Sequence, residues 1–464
     1  MCATAGACRN YCCQLHDLSE LASHLTFAVN EQQDTIFAMA SGAGRAAIAV
    51  LRISGSESGA ILNRLCRRRP AARRASLCAL RDPGGALIDK AIVLWLPGPS
   101  SFTGEDSAEL HLHGGRAVQQ DAATALVAMG LRPAEPGEFA RRAFLNGRLD
   151  LVEAEAIADL VDAETTAQRR QALRQMEGGL GALLGGWSST LTEMLAQQEA
   201  LIDFPDENLP QEVEAALAQS MQRLLNELRA HLDDDRRGER LRDGLVFAVV
   251  GAPNAGKSTL VNALAQRDIA IVSPQPGTTR DVIEARIDLG GVPVTLLDTA
   301  GLHETTDSIE SEGVRRARDR AAAADALIVL ETPTEAAPTD LAPHALTIRV
   351  TGKADLLPAD GPSAADTMRI SARTGAGMKP FLAHLAAQAA ALTEAAGPPP
   401  LTRARHRAAL QTAADRLAAA CSATYPELRA EDLRLALRAI GRITGRVGVE
   451  DILDSVFRQF CIGK

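Results

Sequence analysis

Gly251-Ala252-Pro253-Asn254-Ala255-Gly256-Lys257-Ser258-Thr259 decides the fold of this chain. Gly251, four residues, then Gly256-Lys257-Ser258 is the spacing of a phosphate-binding loop. The apolar run Leu245-Val246-Phe247-Ala248-Val249-Val250 before it reads as a buried strand, and Thr259-Leu260-Val261-Asn262-Ala263-Leu264 after it opens a helical pattern. Strand, loop and helix in that order are what the motif needs. Glycine lets backbone N–H groups turn inward around phosphate oxygens. Lys257 brings a point charge to the β- and γ-phosphates, and the Ser258 hydroxyl is a Mg²⁺ ligand. The stretch predicts a nucleoside triphosphate site on a doubly wound α/β sheet.

The residues that follow choose the base. Gly277-Thr278-Thr279-Arg280-Asp281 offers Thr279 to close over the γ-phosphate and give Mg²⁺ a second hydroxyl. Val294-Thr295-Leu296-Leu297 reads as a strand ending at Asp298-Thr299-Ala300-Gly301. There Asp298 can hold the Mg²⁺ shell, and Gly301 lets the backbone reach the γ-phosphate. Beyond the strand Ala326-Leu327-Ile328-Val329-Leu330, the stretch Val350-Thr351-Gly352-Lys353-Ala354-Asp355 closes the next strand. Asp355 is suited to accept two hydrogen bonds from the guanine N1–H and 2-amino group, a donor pair that adenine lacks. Ser371-Ala372-Arg373 adds a backbone N–H for guanine O6.

The order and spacing of these elements resemble the translation-factor branch of GTPases. Two positions depart from it. The branch usually carries Asn-Lys-x-Asp, and Gly352 replaces that Asn. The loss of side-chain contacts to the base and to the phosphate loop is worth about 1 kcal/mol. Ras-like enzymes place a water-orienting Gln after the Asp-x-x-Gly element, where this chain has Leu302. Hydrolysis then needs another carboxylate or amide. Glu310, in Asp307-Ser308-Ile309-Glu310-Ser311-Glu312, is one candidate, and a solvated glutamate is the equal alternative. Asn254 can offer an oxygen to a monovalent cation.

Length and composition set the frame. A chain of 464 residues has a prior of about three domains. The net charge of −9 argues against coating nucleic acid through the overall field, and leaves a local basic face open. No apolar run reaches the ~18 residues that span a bilayer. Four of the eight cysteines (Cys2, Cys8, Cys12 and Cys13) crowd the first thirteen residues, and no pair forms CxxC. A reducing, cytoplasmic setting fits that usage. Residues 1–33 read as an extension outside the folded domains. Residues 34–149 mix strands and turns as a compact α+β domain, with strands expected at Ala47–Ile53 and Lys90–Leu96. Residues 150–241 turn helical, with a break at Asp203-Phe204-Pro205-Asp206. Residues 242–396 alternate strands and helices, Gly397-Pro398-Pro399-Pro400 ends that domain, and 397–464 return to helix. The expected architecture is an N-terminal α+β domain and a helical-bundle domain interrupted by an inserted Ras-like domain.

Three further stretches carry a resemblance to a family. Phe102-Thr103-Gly104-Glu105-Asp106 leads to Glu109-Leu110 and His113-Gly114-Gly115. Arg132-Pro133-Ala134-Glu135-Pro136-Gly137-Glu138-Phe139 runs into Arg141-Arg142-Ala143-Phe144-Leu145-Asn146-Gly147-Arg148-Leu149-Asp150-Leu151. The chain ends Phe460-Cys461-Ile462-Gly463-Lys464. With the nucleotide elements, these resemble the MnmE (TrmE) family of tRNA uridine modification GTPases over about Asp34–Lys464.

The resemblance implies a homodimer formed through the N-terminal domain. It implies work with an MnmG-type flavoprotein, which carries FAD and uses NADH, on the wobble uridine of certain tRNAs. The product carries an aminomethyl-type group at C5, with the one-carbon unit drawn from a tetrahydrofolate derivative. It also implies that hydrolysis is activated when two nucleotide domains meet across a bound K⁺. Carried over residue by residue, GTP falls on Asn254, Ala255, Gly256, Lys257, Ser258, Thr259, Ser273, Pro274, Gln275, Pro276, Gly277, Thr278, Thr279, Asp298, Thr299, Ala300, Gly301, Lys353, Asp355, Ser371, Ala372 and Arg373. Mg²⁺ falls on Ser258 and Thr279, and K⁺ on Asn254, Ser273, Gln275 and Thr278. Glu310 falls where the family orients the attacking water, beside Lys257 as the catalytic cation. Folate contacts fall on Arg52, Glu109, Arg148 and Lys464. Arg148 stands where many relatives carry Lys, and Arg45-Ala46-Ala47 where many carry Arg-Gly-Gly.

Cys461 admits three readings: a small buried apolar residue, a reactive thiol, or a lipid site. The resemblance favours a place in or beside the folate site. Arg403, Arg405, Arg407, Arg434, Arg438, Arg442 and Arg446 concentrate charge in the last block. The spacing of Arg434, Arg438 and Arg442 puts them on one helical face. That face is either solvated and ion-paired or a phosphate-contacting stripe for tRNA. Two rival functions are a ribosome-assembly GTPase, which usually appends a basic RNA-binding domain not evident here, and a scaffold switch without an enzyme partner.

Overall fold

A computed structural model describes residues 34–42, 44–203, 211–252, 254–266, 284–298, 322–332, 346–357, 367–394 and 397–447, with 453, 456–458, 460 and 463 near the C-terminus. The extension 1–33 lies outside the described residues. The chain divides into two compact units. One runs to Ala158 and includes the described residues beyond 448, and the other spans Asp159–Val447.

The first unit is built on β1 (Ile36–Met39), β2 (Ile48–Ser54), β3 (Ser76–Arg81), β4 (Leu87–Leu96), β5 (Ser107–His113) and β6 (Arg132–Pro133), in the order β3-β4-β5-β2-β1-β6. All pairings are antiparallel except β1 with β6. Strand alternation gives each face its character. Ala91, Val93 and Trp95 of β4 are buried, whereas Ile92 between them is 45% exposed. The buried set packs with Leu62 and Leu65 of the helix Ser58–Cys66 and Leu126 of the helix Arg116–Ala128. A second cluster joins Ala140, Leu151 and Ala154 to Leu453, Val456, Phe457 and Phe460, so described residues of the C-terminal tail belong to this core.

Beneath the loop 97–106 lies a buried polar network. Arg142 donates to Glu105 Oε2 at 3.1 Å, to Glu138 Oε1 at 3.0 Å and to the Asp34 carbonyl at 2.8 Å. Ser54 Oγ donates to Glu105 Oε2 at 2.7 Å, and Arg132 Nη2 donates to Glu138 Oε1 at 2.8 Å. Burial alone would raise the Glu138 carboxyl, but hydrogen bonds from Arg132 and the Glu135 backbone, with the Arg142 charge, hold it below the ordinary carboxylate range.

In the second unit four long helices, Gly179–Asp203, Gln211–Leu232, Ala404–Ser422 and Pro426–Thr444, pack in a closed ring. Leu184, Leu191, Leu217, Leu224, Leu410, Leu417, Leu433 and Ile440 fill its middle. The first pair of helices precedes the nucleotide domain and the second pair follows it, so the bundle is interrupted by an insertion. Much of the basic charge in the last block is spent within this unit. Arg403 pairs with Asp159 at 2.7 Å, Arg407 with Glu239 at 2.6 Å, and Arg434 with Glu431 at 3.2 Å.

Two groups in this unit make the fold acid-labile. Burial pushes the His231 imidazole below its ordinary value of 6.5, and its ring stands edge-on to Trp187 at 5.3 Å. Burial would raise the Glu239 carboxyl, but hydrogen bonds from Arg407 and Arg236 outweigh it and hold the group below 4.5. For both, the unfolded chain takes up protons first, so stability falls with pH. The histidine contribution is present above 6.5 and declines as pH drops below it. The glutamate contribution is present above 4.5 and is lost as pH falls through the lower folded value. Urea midpoints are expected to decline in two stages between neutrality and mild acid, the upper one vanishing in His231→Phe.

The second sheet comprises β7 (Leu245–Gly251), β8 (Glu284–Leu289), β9 (Val292–Asp298), β10 (Ala326–Glu331), β11 (Thr347–Thr351) and β12 (Met368–Arg369), in the order β12-β11-β10-β7-β9-β8. All are parallel but β8. Phe247 and Val249 face one apolar cluster and Ala248 the other, which is why β7 reads as an unbroken apolar run. Such sheets bind ligands beyond the carboxyl ends of their strands.

Candidate nucleotide-binding site

β7 delivers the phosphate loop and β9 delivers Asp298. In the parallel pairing Val249 lies beside Asp298, which sets that 4%-exposed carboxylate next to the strand end that becomes Gly251. A Cβ on Gly251 would sit 2.4 Å from the Leu330 carbonyl oxygen, so no side chain fits there. Asn254 and Gly256 turn the loop with φ of 62° and 100°. The helix Lys257–Ala265 starts directly after, with Ser258 in its first turn. Lys257 is buried, and its ammonium donates to the Gly251 and Ala252 carbonyls, each at 3.0 Å.

β10, β11 and β12 deliver the other half of the pocket. A pocket of about 310 Å³ is lined on one side by Ala255, Gly256 and Thr259, and on the other by Lys353, Asp355 and Ser371-Ala372-Arg373. Ser371 Oγ donates to Asp355 Oδ1 at 2.6 Å and Arg373 Nη2 donates to Oδ2 at 2.8 Å. The Ser371 hydroxyl, and after it Arg373, hold the Asp355 carboxyl below the usual carboxylate range, so it is ionised at neutral pH. Lys353 Nζ donates to the Asn254 carbonyl at 2.8 Å. That bond ties the Lys353–Asp355 loop to the phosphate loop, a tie that the missing Asn at position 352 does not provide.

The pocket also shows what stands in place of that Asn. A Cβ on Gly352 would meet Leu330 Cδ1 at 2.9 Å, so the buried Leu330 side chain fills part of the space. Gly352→Asn is expected to tighten GTP binding by less than about fivefold. The regained contact is worth about 1 kcal/mol, and moving Leu330 off its rotamer costs a similar fraction of that. Nucleotide titration checks it, and weaker binding would mean that Leu330 cannot yield.

The structure thus brings together Asn254, Ala255, Gly256, Lys257, Ser258, Thr259, Asp298, Lys353, Asp355, Ser371, Ala372 and Arg373 around one edge of the sheet. Ser273, Pro274, Gln275, Pro276, Gly277, Thr278, Thr279, Thr299, Ala300, Gly301 and Glu310 lie outside the described residues, as do Cys461 and Lys464. Sequence reading missed the apolar lining, Leu260, Leu330, Leu356 and Ile370. Nothing in their residue type separates them from ordinary core.

In the first unit Arg52 and Glu109 are cross-strand partners on β2 and β5, with Arg52 Nη2 donating to Glu109 Oε1 at 3.0 Å. The Arg52 guanidinium lies 5.4 Å from the Phe102 ring centroid and 5.9 Å from that of Phe139. Arg148 is exposed and has no carboxylate partner among the described residues. A Cβ on Gly104 would touch the Arg148 stem at 3.2 Å, which places that stem against the loop 97–106. Gly463 packs at the end of β1, where a Cβ would fall 2.1 Å from the Met39 carbonyl oxygen. Sequence reading also missed Arg142, whose burial no local pattern marks. Among the described residues no helix is long and apolar enough to cross a membrane.

Comparison with known proteins finds two family models on this chain. A family model described as the GTP-binding protein TrmE N-terminus matches residues 35–148, and one described as the MnmE helical domain matches 151–461. A tRNA modification GTPase MnmE from Gluconacetobacter diazotrophicus is 59% identical over 437 residues, covering 93% of this chain and 99% of that one. Proteins of the same description from Granulibacter bethesdensis and Rhodospirillum rubrum are 56% and 54% identical, covering 93% of this chain and 100% and 99% of their own lengths. With a phosphate loop and the Asp355 carboxylate lining one pocket, a helical bundle interrupted by the sheet that carries them and near-full-length relatives at this identity, the chain belongs to the MnmE family of tRNA modification GTPases.

Proposed function

We propose that this chain hydrolyses GTP to drive modification of tRNA at C5 of the wobble uridine, as a homodimer working with an MnmG-type flavoprotein. The observation that carries the reading is one pocket walled by a phosphate loop and an ionised Asp355, with Lys353 tying the two loops. Asp355 reads the guanine donor pair. Lys257 has three donors on a flexible stem and spends two on loop carbonyls, so it can turn toward a phosphate. Ser258, Thr279 and Asp298 are the hard oxygen donors that suit Mg²⁺, which would neutralise charge developing on the phosphate oxygens.

Glu310 orients the attacking water, since no Gln follows the Asp298 element. Asn254, with Ser273, Gln275 and Thr278, would hold a K⁺ that supplies positive charge when two nucleotide domains meet. In the first unit the Arg52–Glu109 pair and Arg148, which has no carboxylate partner among the described residues, suit a tetrahydrofolate derivative as the one-carbon source. The pair offers donors and an acceptor to a pteridine edge, and Arg148 offers a fork to a glutamyl carboxylate. Lys464 and Cys461 complete that site from the tail. FAD and NADH belong to the partner flavoprotein.

Mass spectrometry of wobble uridines tests the reading in a strain deleted for this gene. The aminomethyl-type modification should disappear, return with the intact gene, and stay absent with an Asp298→Ala copy. Unchanged uridines in the deletion strain would overturn the tRNA reading and bring ribosome assembly forward.

A further inference from the structure

We infer that the loop Arg67–Arg74 of the first unit is a contact surface for the phosphate backbone of the tRNA, an inference that rests on the tRNA reading above. Five arginines fall within eight residues, Arg67-Arg68-Arg69-Pro70-Ala71-Ala72-Arg73-Arg74, in a chain of net charge −9. All five are exposed. Among the described residues none of them has a carboxylate partner, whereas Arg132, Arg142, Arg403, Arg407 and Arg434 are all ion-paired.

The loop is anchored rather than loose. Arg73 adopts a left-handed φ of 60°, its N–H donates to the Trp95 carbonyl at 2.8 Å, and its Nη2 donates to the Ser100 carbonyl at 2.6 Å. The Arg69 guanidinium lies 5.5 Å from the Trp95 ring centroid, Ala72 forms a β-bridge with Trp95, and Pro70 is buried. Two arginines therefore fasten the loop to the end of β4. Among the described residues the side chains of Arg67, Arg68 and Arg74 make no hydrogen bond or ion pair.

Holding like charges side by side on an ordered loop is unfavourable without a counter-charge. A polyanion provides one along the whole stretch. A net-negative enzyme that acts on RNA also needs a local basic face, because its overall field repels the substrate. The basic cluster around the end of the helix Pro426–Thr444 has a simpler explanation. Arg405 donates to the Arg442 and Ile443 carbonyls there, so cations at that end complement the helix dipole.

The test uses the full chain and an unmodified tRNA transcript, with fluorescence anisotropy across a salt series. The variant R67A/R68A/R74A should raise the Kd about tenfold and reduce the slope of log K against log salt by about 2, as expected for three lost phosphate contacts. The matched control R438A/R442A should stay within about twofold of the unaltered chain. Thermal melting checks folding. If the triple variant melts early, R68A alone should reduce the slope by somewhat less than about 1 and R68K should restore it. Unchanged affinity and slope in a folded triple variant would overturn the inference. Loss of self-association with an unchanged slope would also overturn it, and would assign the loop to a second copy of the chain. An unaltered chain that binds tRNA no better than unstructured RNA of equal length would instead remove the tRNA reading, and this inference with it.

Discussion

Asp355→Asn is expected to lower GTP affinity by about two orders of magnitude or more and to turn base preference toward xanthine. The carboxylate is ionised, and its two oxygens already accept from Ser371 and Arg373. Each oxygen has a second lone pair, so both can still accept from a base. Guanine offers two donors on one edge, and each hydrogen bond to a charged acceptor carries roughly one to two orders of magnitude in affinity. In Asn one of the two bonds loses its charged acceptor and the other is replaced by a donor facing a donor, so a loss of about 10² or more is expected. An amide presents one acceptor and one donor. It therefore matches a base that keeps N1–H but carries a carbonyl at position 2. Titration with GTP and XTP checks the result, and GTP affinity within about threefold of the unaltered chain would remove Asp355 from base recognition. Asp355→Ala should weaken both nucleotides without exchanging their order.

Arg142→Met is expected to destabilise the first unit by about 3–5 kcal/mol, the range for breaking one side of a buried ion pair. The Arg142 side chain is 3% exposed and serves Glu105, Glu138 and the Asp34 carbonyl together. Glu138 keeps Arg132 when Arg142 is lost. Among the described residues the Glu105 carboxylate, 16% exposed, keeps the Ser54 hydroxyl alone, so a largely buried carboxylate is left without its cation. Chemical denaturation near neutrality measures the effect. Adding Glu105→Gln to Arg142→Met should restore much of the loss at neutral pH. A deficit below about 1 kcal/mol in the single variant would show that the network is not what holds the loop 97–106.

The nucleotide half was legible because its chemistry is written in short, ordered runs. Gly251–Thr259, Asp298 and Asp355 each follow an apolar strand, and parallel strands deliver their carboxyl ends to one edge. The strands expected at 47–53 and 90–96 appear as Ile48–Ser54 and Leu87–Leu96, since hydrophobic alternation sets strand type more firmly than strand ends. The basic stripe of the last block was not legible as one thing. Arg434 is paired with Glu199 and Glu431, and Arg407 with Asp234 and Glu239. The unpaired run Arg67–Arg74 is visible in the sequence as charge alone. Whether its arginines are paired depends on Trp95 and Ser100, which sequence spacing does not predict.

The sequence by itself determined that the chain carries a phosphate loop, a strand-end carboxylate at Asp355 and a helical domain split around them. These depend on residue type and on spacing within a few tens of positions. Only the tertiary structure decided that Lys353 ties the two halves of the pocket, that Leu330 fills the space beside Gly352, and that Arg142 is buried between two glutamates. It also decided which arginines lack a carboxylate partner among the described residues and that described tail residues pack into the first core. Apart from Glu138, four residues before Arg142, the partners in those contacts are separated by tens to hundreds of residues, and their pairing follows from which faces the packed strands and helices bury.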